Sequence, residues 1–226
     1  KSPVSKSHSE VLLVEIPYFL KRDFLNPEEL QEVLCDLERL NSPQLLLPGD
    51  KTHSAKDSEG NIFKQNKGIF LEQSHMGLAP MLFRTTVTSK KVLGYLNEFC
   101  TLSPVNRALK AGAIINGMLL SYYENSDYYA EHIDAALATV LIWFWKEPKR
   151  FTGGNFKFGD TGEVIECRNN SILIFPSWAL HSVDPVIIDP QYQNQKLGRY
   201  CVSLFIHPYQ PGHKGLFQDL VQTPKK

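Results

Sequence analysis

The sequence predicts a mainly β domain, a sandwich or barrel in the second half with helices from the first half packed outside it. From about residue 112 a series of short strand-like runs follows: GAIINGMLLSYYEN, ATVLIWFWKE, NFKFGD, GEVIECRNNSILIFPS, HSVDPVII and RYCVSLFIHPY. Turn-forming clusters separate them, at Asn125-Ser126-Asp127, Gly153-Gly154, Asp160-Thr161-Gly162 and Asn169-Asn170. Short strands at that spacing build sandwiches and barrels. The clearest helical patterns precede them.

In chain order, residues 1–10 (KSPVSKSHSE) are polar and read as a flexible arm. VLLVEIPYFL (11–20) reads as a buried strand broken near Pro17. NPEELQEVLCDLERL (26–40) carries helix signals: Asn26 as N-cap, Pro27 at the first helical position, and Glu28 and Glu29 against the dipole. Leu30, Val33, Leu34, Leu37 and Leu40 form its apolar stripe. Residues 41–68 read as mostly loop, and IFLEQ as a short strand. APMLFRTTVTSKKVLGYLNEFC (79–100) reads as helix, weakened in the middle by its TTVT stretch. The division expected is an arm at 1–10 and one domain at 11–226, with a helix-rich support region (11–111) and a β core (112–209).

Composition excludes several classes. Lys plus Arg equals Asp plus Glu at 24 each, which is not the basic footprint of a nucleic-acid binder. No run approaches the ~18 apolar residues of a membrane-crossing helix, and no polybasic segment suits a membrane surface. Cys35, Cys100, Cys167 and Cys201 are scattered without a CxxC pair, which argues against a zinc ribbon or a disulfide framework. That usage, and the lack of an apolar leader, point to the cytoplasm. The chain begins at Lys1 rather than Met, so a leader removed earlier is compatible with it. Composition leaves the oligomeric state open.

The chemistry concentrates in YYAEHIDAALATVLIWFW. His132 and Asp134 stand two residues apart before an apolar run, so in a strand they share one face. Polar groups at a core edge are costly unless something satisfies them. Of seven histidines, His181 is the best third partner. It follows NNSILIFPSWALH, where a turn, a continuous apolar strand and a short loop deliver it to the start of the next strand. His8 lies in the arm, His53 and His75 in loop-rich regions, His207 before a proline, and His213 near the end. Two imidazoles and one carboxylate occupy one face of an octahedron and leave positions open, the arrangement of non-haem Fe(II) oxygenases.

The order of these elements resembles the 2-oxoglutarate- and Fe(II)-dependent dioxygenases, in particular the prolyl-hydroxylase-like branch. The elements are LLSYY, HID, ATVLIWFW, TGGNFKF, SILIFPS, His181 and GRYCVSLFI, spanning about residues 112–209. The resemblance implies a double-stranded β-helix, the jelly-roll or cupin-like core, flanked by helices. It implies Fe(II) held by His132, Asp134 and His181, and 2-oxoglutarate as cosubstrate, with ascorbate an optional reductant. Arg199 would take the distal carboxylate of 2-oxoglutarate, which suits a guanidinium fork set in an apolar strand. Tyr122 would hydrogen-bond the cosubstrate. Tyr129, Trp143 and Cys201 would line the substrate pocket. Because the carboxylate is present at Asp134, halogenation is not expected.

One departure is the 18-residue gap from His181 to Arg199, with IIDPQYQNQKLG as an extended hairpin loop. Lys196 in that loop is a rival partner for the carboxylate. The implied activity is hydroxylation of a C–H bond, with a peptidyl proline, another amino-acid residue or a small molecule as substrate. Two other readings stay open at this stage: a non-catalytic cupin-like protein that binds a metal or small ligand, and a metal-free sandwich in which His132 and Asp134 pair with each other.

Overall fold

The computed structural model describes residues 15–209. The arm at 1–10, residues 11–14, His8 and His213 lie outside the described residues. Fourteen strands and four short α-helices run through the rest.

The first half begins with β1 (Phe19–Arg22), which starts after Pro17, and α1 (Pro27–Leu40). Asn26 caps α1 in a reciprocal capping box with Glu29, and Val33, Leu37 and Leu40 are buried. The stretch expected to be loop holds two short strands, β2 (Leu47–Pro48) and β3 (Lys64–Gln65), before β4 (Lys67–Phe70). The expected helix at 79–100 is broken into α2 (Pro80–Thr85) and α3 (Lys90–Phe99). Thr86 ends α2 and Ser89 caps α3 through its hydroxyl, so the TTVT stretch interrupts the helix as its poor propensity suggests. α4 (Pro104–Arg107) follows.

The second half supplies β5 (Ala113–Tyr123), β6 (Tyr128–His132), β7 (Ala138–Phe144), β8 (Phe151–Gly153), β9 (Phe156–Phe158) and β10 (Val164–Ile165). It continues with β11 (Ser171–Pro176), β12 (His181–Val183), β13 (Val186–Ile188) and β14 (Arg199–Pro208). A seven-stranded sheet has the order β1-β11-β7-β14-β5-β4-β2, and a five-stranded sheet the order β10-β9-β12-β6-β3. β13 pairs with β8 in a small third sheet. All strand pairings are antiparallel.

Two-residue alternation explains why the central strands look uniformly apolar. Along β7, Val140, Ile142 and Phe144 join the core under the helices, whereas Leu141 and Trp143 join the core between the two large sheets. β11 divides likewise, Ile172 and Ile174 against Leu173 and Phe175. A strand covered on both faces carries a continuous hydrophobic run. Each such side chain contributes roughly 1.5–3 kcal/mol on burial. β14 also alternates: Tyr200, Val202, Leu204 and Ile206 face the helices, and Arg199, Cys201, Ser203 and Phe205 take the other face. The first-half strands β1, β2 and β4 extend the large sheet, and β3 extends the smaller one at β6. Among the described residues no helix is long and apolar enough to cross a membrane.

Candidate metal centre

His132 closes β6 and His181 opens β12, and the two are direct partners across that antiparallel pair. A bulge lies between His181 and Val183. Asp134 follows β6, held by a backbone bond from its N–H to the Ser177 carbonyl at 3.1 Å. The FPS turn thus fixes the carboxylate, and the loop after it delivers His181. The Nε2 atoms of His132 and His181 stand 3.7 and 3.6 Å from the two Asp134 oxygens. All three ligand atoms lie within 4.8 Å of one another.

The outer contacts set each group up as a ligand. His132 Nδ1 lies 2.8 Å from the Ala130 carbonyl and His181 Nδ1 lies 2.9 Å from that of Ala179. A carbonyl accepts only, so each Nδ1 carries the proton and each Nε2 presents a lone pair. Burial, with His181 beside it, pushes His132 down to about 4; burial also lowers His181. Both rings are therefore neutral near pH 7, as coordination requires. Thr139 donates to Asp134 Oδ2 at 2.6 Å and lies 2.8 Å from the Ser177 hydroxyl. Tyr129 stacks on His132 with centroids 3.5 Å apart, and Phe156 stacks on His181 at 5.4 Å.

Arg199 opens β14 and is completely buried. Its Nε approaches Cys167 Sγ at 3.1 Å, and its guanidinium lies 4.9 Å from the Tyr123 ring centre and 5.7 Å from that of Trp143. Among the described residues neither Nη has a hydrogen-bond partner. A buried guanidinium with two unmatched donor ends is costly by itself and suits a bidentate carboxylate. The Gly153-Gly154 pair makes room for it: both have positive φ, near 69° and 68°. A Cβ on Gly154 would come within 3.1 Å of Arg199 Cδ, and one on Gly153 would collide with the Pro185 carbonyl. The donor set and the orphaned guanidinium together fit a divalent iron and a dicarboxylate.

The profile of the 2OG-Fe(II) oxygenase superfamily matches residues 118–207, a span that holds all four of these residues. The chain is 26% identical over 200 residues to an uncharacterized PKHD-type hydroxylase of Synechocystis sp., covering 82% of this chain and 62% of that protein. It is 33% identical over 82 residues to a PKHD-type hydroxylase of Gloeothece citriformis, covering 32% of this chain and 37% of that protein. The chain thus spans under two thirds of the length of either relative.

Among solved structures, a Pseudomonas putida prolyl-4-hydroxylase superposes with a TM-score of 0.54 at 12% identity, covering 86% of this chain and 94% of that one. A Trichoplax adhaerens prolyl hydroxylase, solved with a hypoxia inducible factor peptide fragment, gives 0.53 at 15% identity, covering 85% and 84%. These likenesses establish the double-stranded β-helix fold. Fe(II) and 2-oxoglutarate are the cofactors of the superfamily.

A cavity of about 500 Å3 opens on the His-Asp-His cluster. Tyr129 and Cys201 line it, with Tyr123, Ser121, Leu141 and Ser203. Two expectations need correction. Tyr122 points to the opposite face: its hydroxyl donates to Glu124 at 2.9 Å and accepts from the Gly198 N–H at 3.1 Å, and its ring packs against Tyr200 under the helices. Tyr123, one residue later, faces the cavity, because alternation inverts the side at each step. Trp143 is buried beneath Arg199 and packs against Phe156, outside the cavity lining. Lys196 is also remote from the cavity; its ammonium donates to the Glu38 carbonyl on α1 at 3.4 Å.

Sequence reasoning missed three cavity residues, His53, His207 and Lys64, and also Thr139, which holds Asp134 from outside the lining. His53 and His207 line the walls, one from a segment that reads as loop and one from the end of β14. Thr139 lies in an apolar run where it reads as an ordinary strand residue. Lys64 is only 2% exposed and lines the same cavity. Burial pulls its ammonium down to about 8, against the opposing pull of Asp134. No sequence signal separates Lys64 from a solvated lysine.

Proposed function

We propose that this chain is an Fe(II)- and 2-oxoglutarate-dependent hydroxylase acting on a C–H bond of a prolyl or other amino-acid residue in a polypeptide. The observation that carries the reading is the meeting of two neutral imidazoles and a carboxylate in a barrel that also buries a guanidinium with two unpaired donor ends. When bound, Fe(II) and 2-oxoglutarate supply the oxidising power, the cosubstrate being converted with O2 to succinate and carbon dioxide as one oxygen atom enters the substrate.

The chain's own residues do the rest. His132, Asp134 and His181 hold the metal through Nε2, a carboxylate oxygen and Nε2. Thr139 fixes the Asp134 carboxylate, and the Ala130 and Ala179 carbonyls fix the imidazole tautomers. Arg199 anchors the distal carboxylate of the cosubstrate, with the Tyr123 ring against it. Phe156, Phe158, Phe175 and Trp143 pack this end of the barrel and keep bulk water out. Tyr129 and Ile133 border the substrate side. Ile133 is 60% exposed and Trp178, across the FPS turn, is 45% exposed, which supports an extended chain as substrate. The prolyl hydroxylases among the structural neighbours support the same substrate class, and the PKHD-type hydroxylase relatives support hydroxylation. Four free cysteines support a reducing, cytoplasmic setting.

The test is conversion of 2-oxoglutarate to succinate by the Fe(II)-loaded chain in air. Uncoupled turnover is expected even without prime substrate, and it should vanish in Asp134→Ala. A non-catalytic metal-binding cupin would bind Fe(II) yet form no succinate, and that outcome would overturn the proposal.

A further inference from the structure

We propose that Lys64 is the specificity residue for a carboxylate carried by the prime substrate; this rests on the reading of the metal centre above. In a polypeptide that carboxylate is an aspartate or glutamate side chain, or a chain terminus, near the hydroxylated residue.

Three observations carry the inference. The first is place. Lys64 lies in β3, directly opposite Tyr129 of β6. Its ammonium stands 5.5 Å from the Tyr129 ring centre, and that ring stacks on His132. The column of lysine, tyrosine and histidine sets a positive charge beside the metal centre on the smaller sheet. Arg199, the other buried cation, approaches from β14 of the large sheet.

The second is unused bonding capacity. The ammonium donates to the Thr52 carbonyl at 2.9 Å. Among the described residues it has no second acceptor, so two of its three N–H donors remain for a ligand.

The third is charge. Among the residues lining the cavity, Lys64 and Asp134 alone carry a full charge. Once a divalent ion sits on Asp134, that carboxylate is spent. The ion, Asp134, Arg199 and a doubly negative cosubstrate balance to neutrality. Lys64 is then a buried amine with no counter-ion, whose ammonium form is disfavoured until an anion arrives. A neutral substrate would leave it uncompensated.

The experiment uses the whole chain loaded anaerobically with Mn(II) and saturating 2-oxoglutarate. N-acetylglycine is the carboxylate probe and N-acetylglycinamide its neutral isostere, with binding read by calorimetry. The wild type should bind the carboxylate about tenfold more tightly than the amide, the scale of one charge-assisted contact. In Lys64→Gln and Lys64→Met the two probes should bind alike, and 2-oxoglutarate affinity should stay within about twofold of wild type.

A readout on the wild type alone guards against variants that do not fold. N-acetylglycine, and not the amide, should protect Lys64 from reductive methylation mapped by mass spectrometry. Equal binding of the two probes by the wild type would overturn the proposal. So would a loss of about tenfold or more in 2-oxoglutarate affinity in the variants, since Lys64 would then serve the cosubstrate. Failure of the wild type to take up Mn(II) and 2-oxoglutarate would be a different result: it would sink the metal-centre reading, and this inference with it.

Discussion

Replacing Arg199 by Met should change cosubstrate binding and stability in opposite directions. Arg199 is fully buried, both Nη atoms lack partners, and its partial compensation is a sulfur contact and two aromatic faces. Each unsatisfied buried donor end costs roughly 1–3 kcal/mol, and a desolvated cation–π contact returns about 2 kcal/mol. Methionine keeps much of the stem and removes the charge, so the cosubstrate-free variant should be as stable as wild type, or up to about 3 kcal/mol more stable. Losing one partner of a buried charge pair costs about 2–5 kcal/mol in binding, so 2-oxoglutarate affinity should fall roughly 30-fold to several thousandfold.

Urea denaturation with Mn(II), with and without cosubstrate, reads both effects. At a cosubstrate concentration about 100 times its wild-type Kd, ligand should stabilise the wild type by about 2.7 kcal/mol and Arg199→Met by less than about 1 kcal/mol. A variant that loses several kcal/mol without cosubstrate and still binds it as wild type does would refute this reasoning. Arg199 would then be a structural residue.

Four further outcomes are expected. Tyr123→Phe should weaken 2-oxoglutarate binding about three- to tenfold, one hydrogen bond's worth. Tyr122→Phe should leave affinity intact and cost about 1 kcal/mol of stability, as its bonds to Glu124 and Gly198 are structural; equal effects on affinity would contradict the side assigned to each ring. Thr139→Val keeps shape but removes the bond to Asp134, so Mn(II) affinity by equilibrium dialysis should drop about 10- to 100-fold; unchanged affinity would deny Thr139 its role. Burial pushes the Asp127 carboxyl from its ordinary 3.8 up to about 6. Between those pH values the native state keeps a proton that the unfolded chain has released, so stability falls as pH rises through the window. Asp127→Asn should lack that fall, which urea midpoints at pH 4 and 7 would show; parallel profiles would contradict the assignment.

Much of the fold was legible because its signals are local. Asn26 and Glu29 announce α1, the turn clusters delimit the later strands, and HxD with a later histidine needs only strand parity and order. What stayed hidden depends on tertiary cover. β5 is buried on both faces, so aromatic residues at 122 and 123 carry no inside–outside contrast, and one step of register separates cavity from helix layer. Trp143 takes the face expected of a lining residue, but Arg199 lies over it. Lys64 becomes a cavity residue because β3 pairs with β6 and brings the loop that holds His53 with it, a long-range contact that a polar composition conceals.

The proposed function requires that His132, Asp134 and His181 hold one Fe(II) that 2-oxoglutarate also contacts. Anaerobic titration of the chain with Fe(II) and 2-oxoglutarate, followed by visible absorption, tests it most directly. A weak charge-transfer band saturating at about one iron per chain is expected in wild type and should be absent from a folded His181→Ala. A band that survives in that variant would assign the third ligand elsewhere and contradict the account.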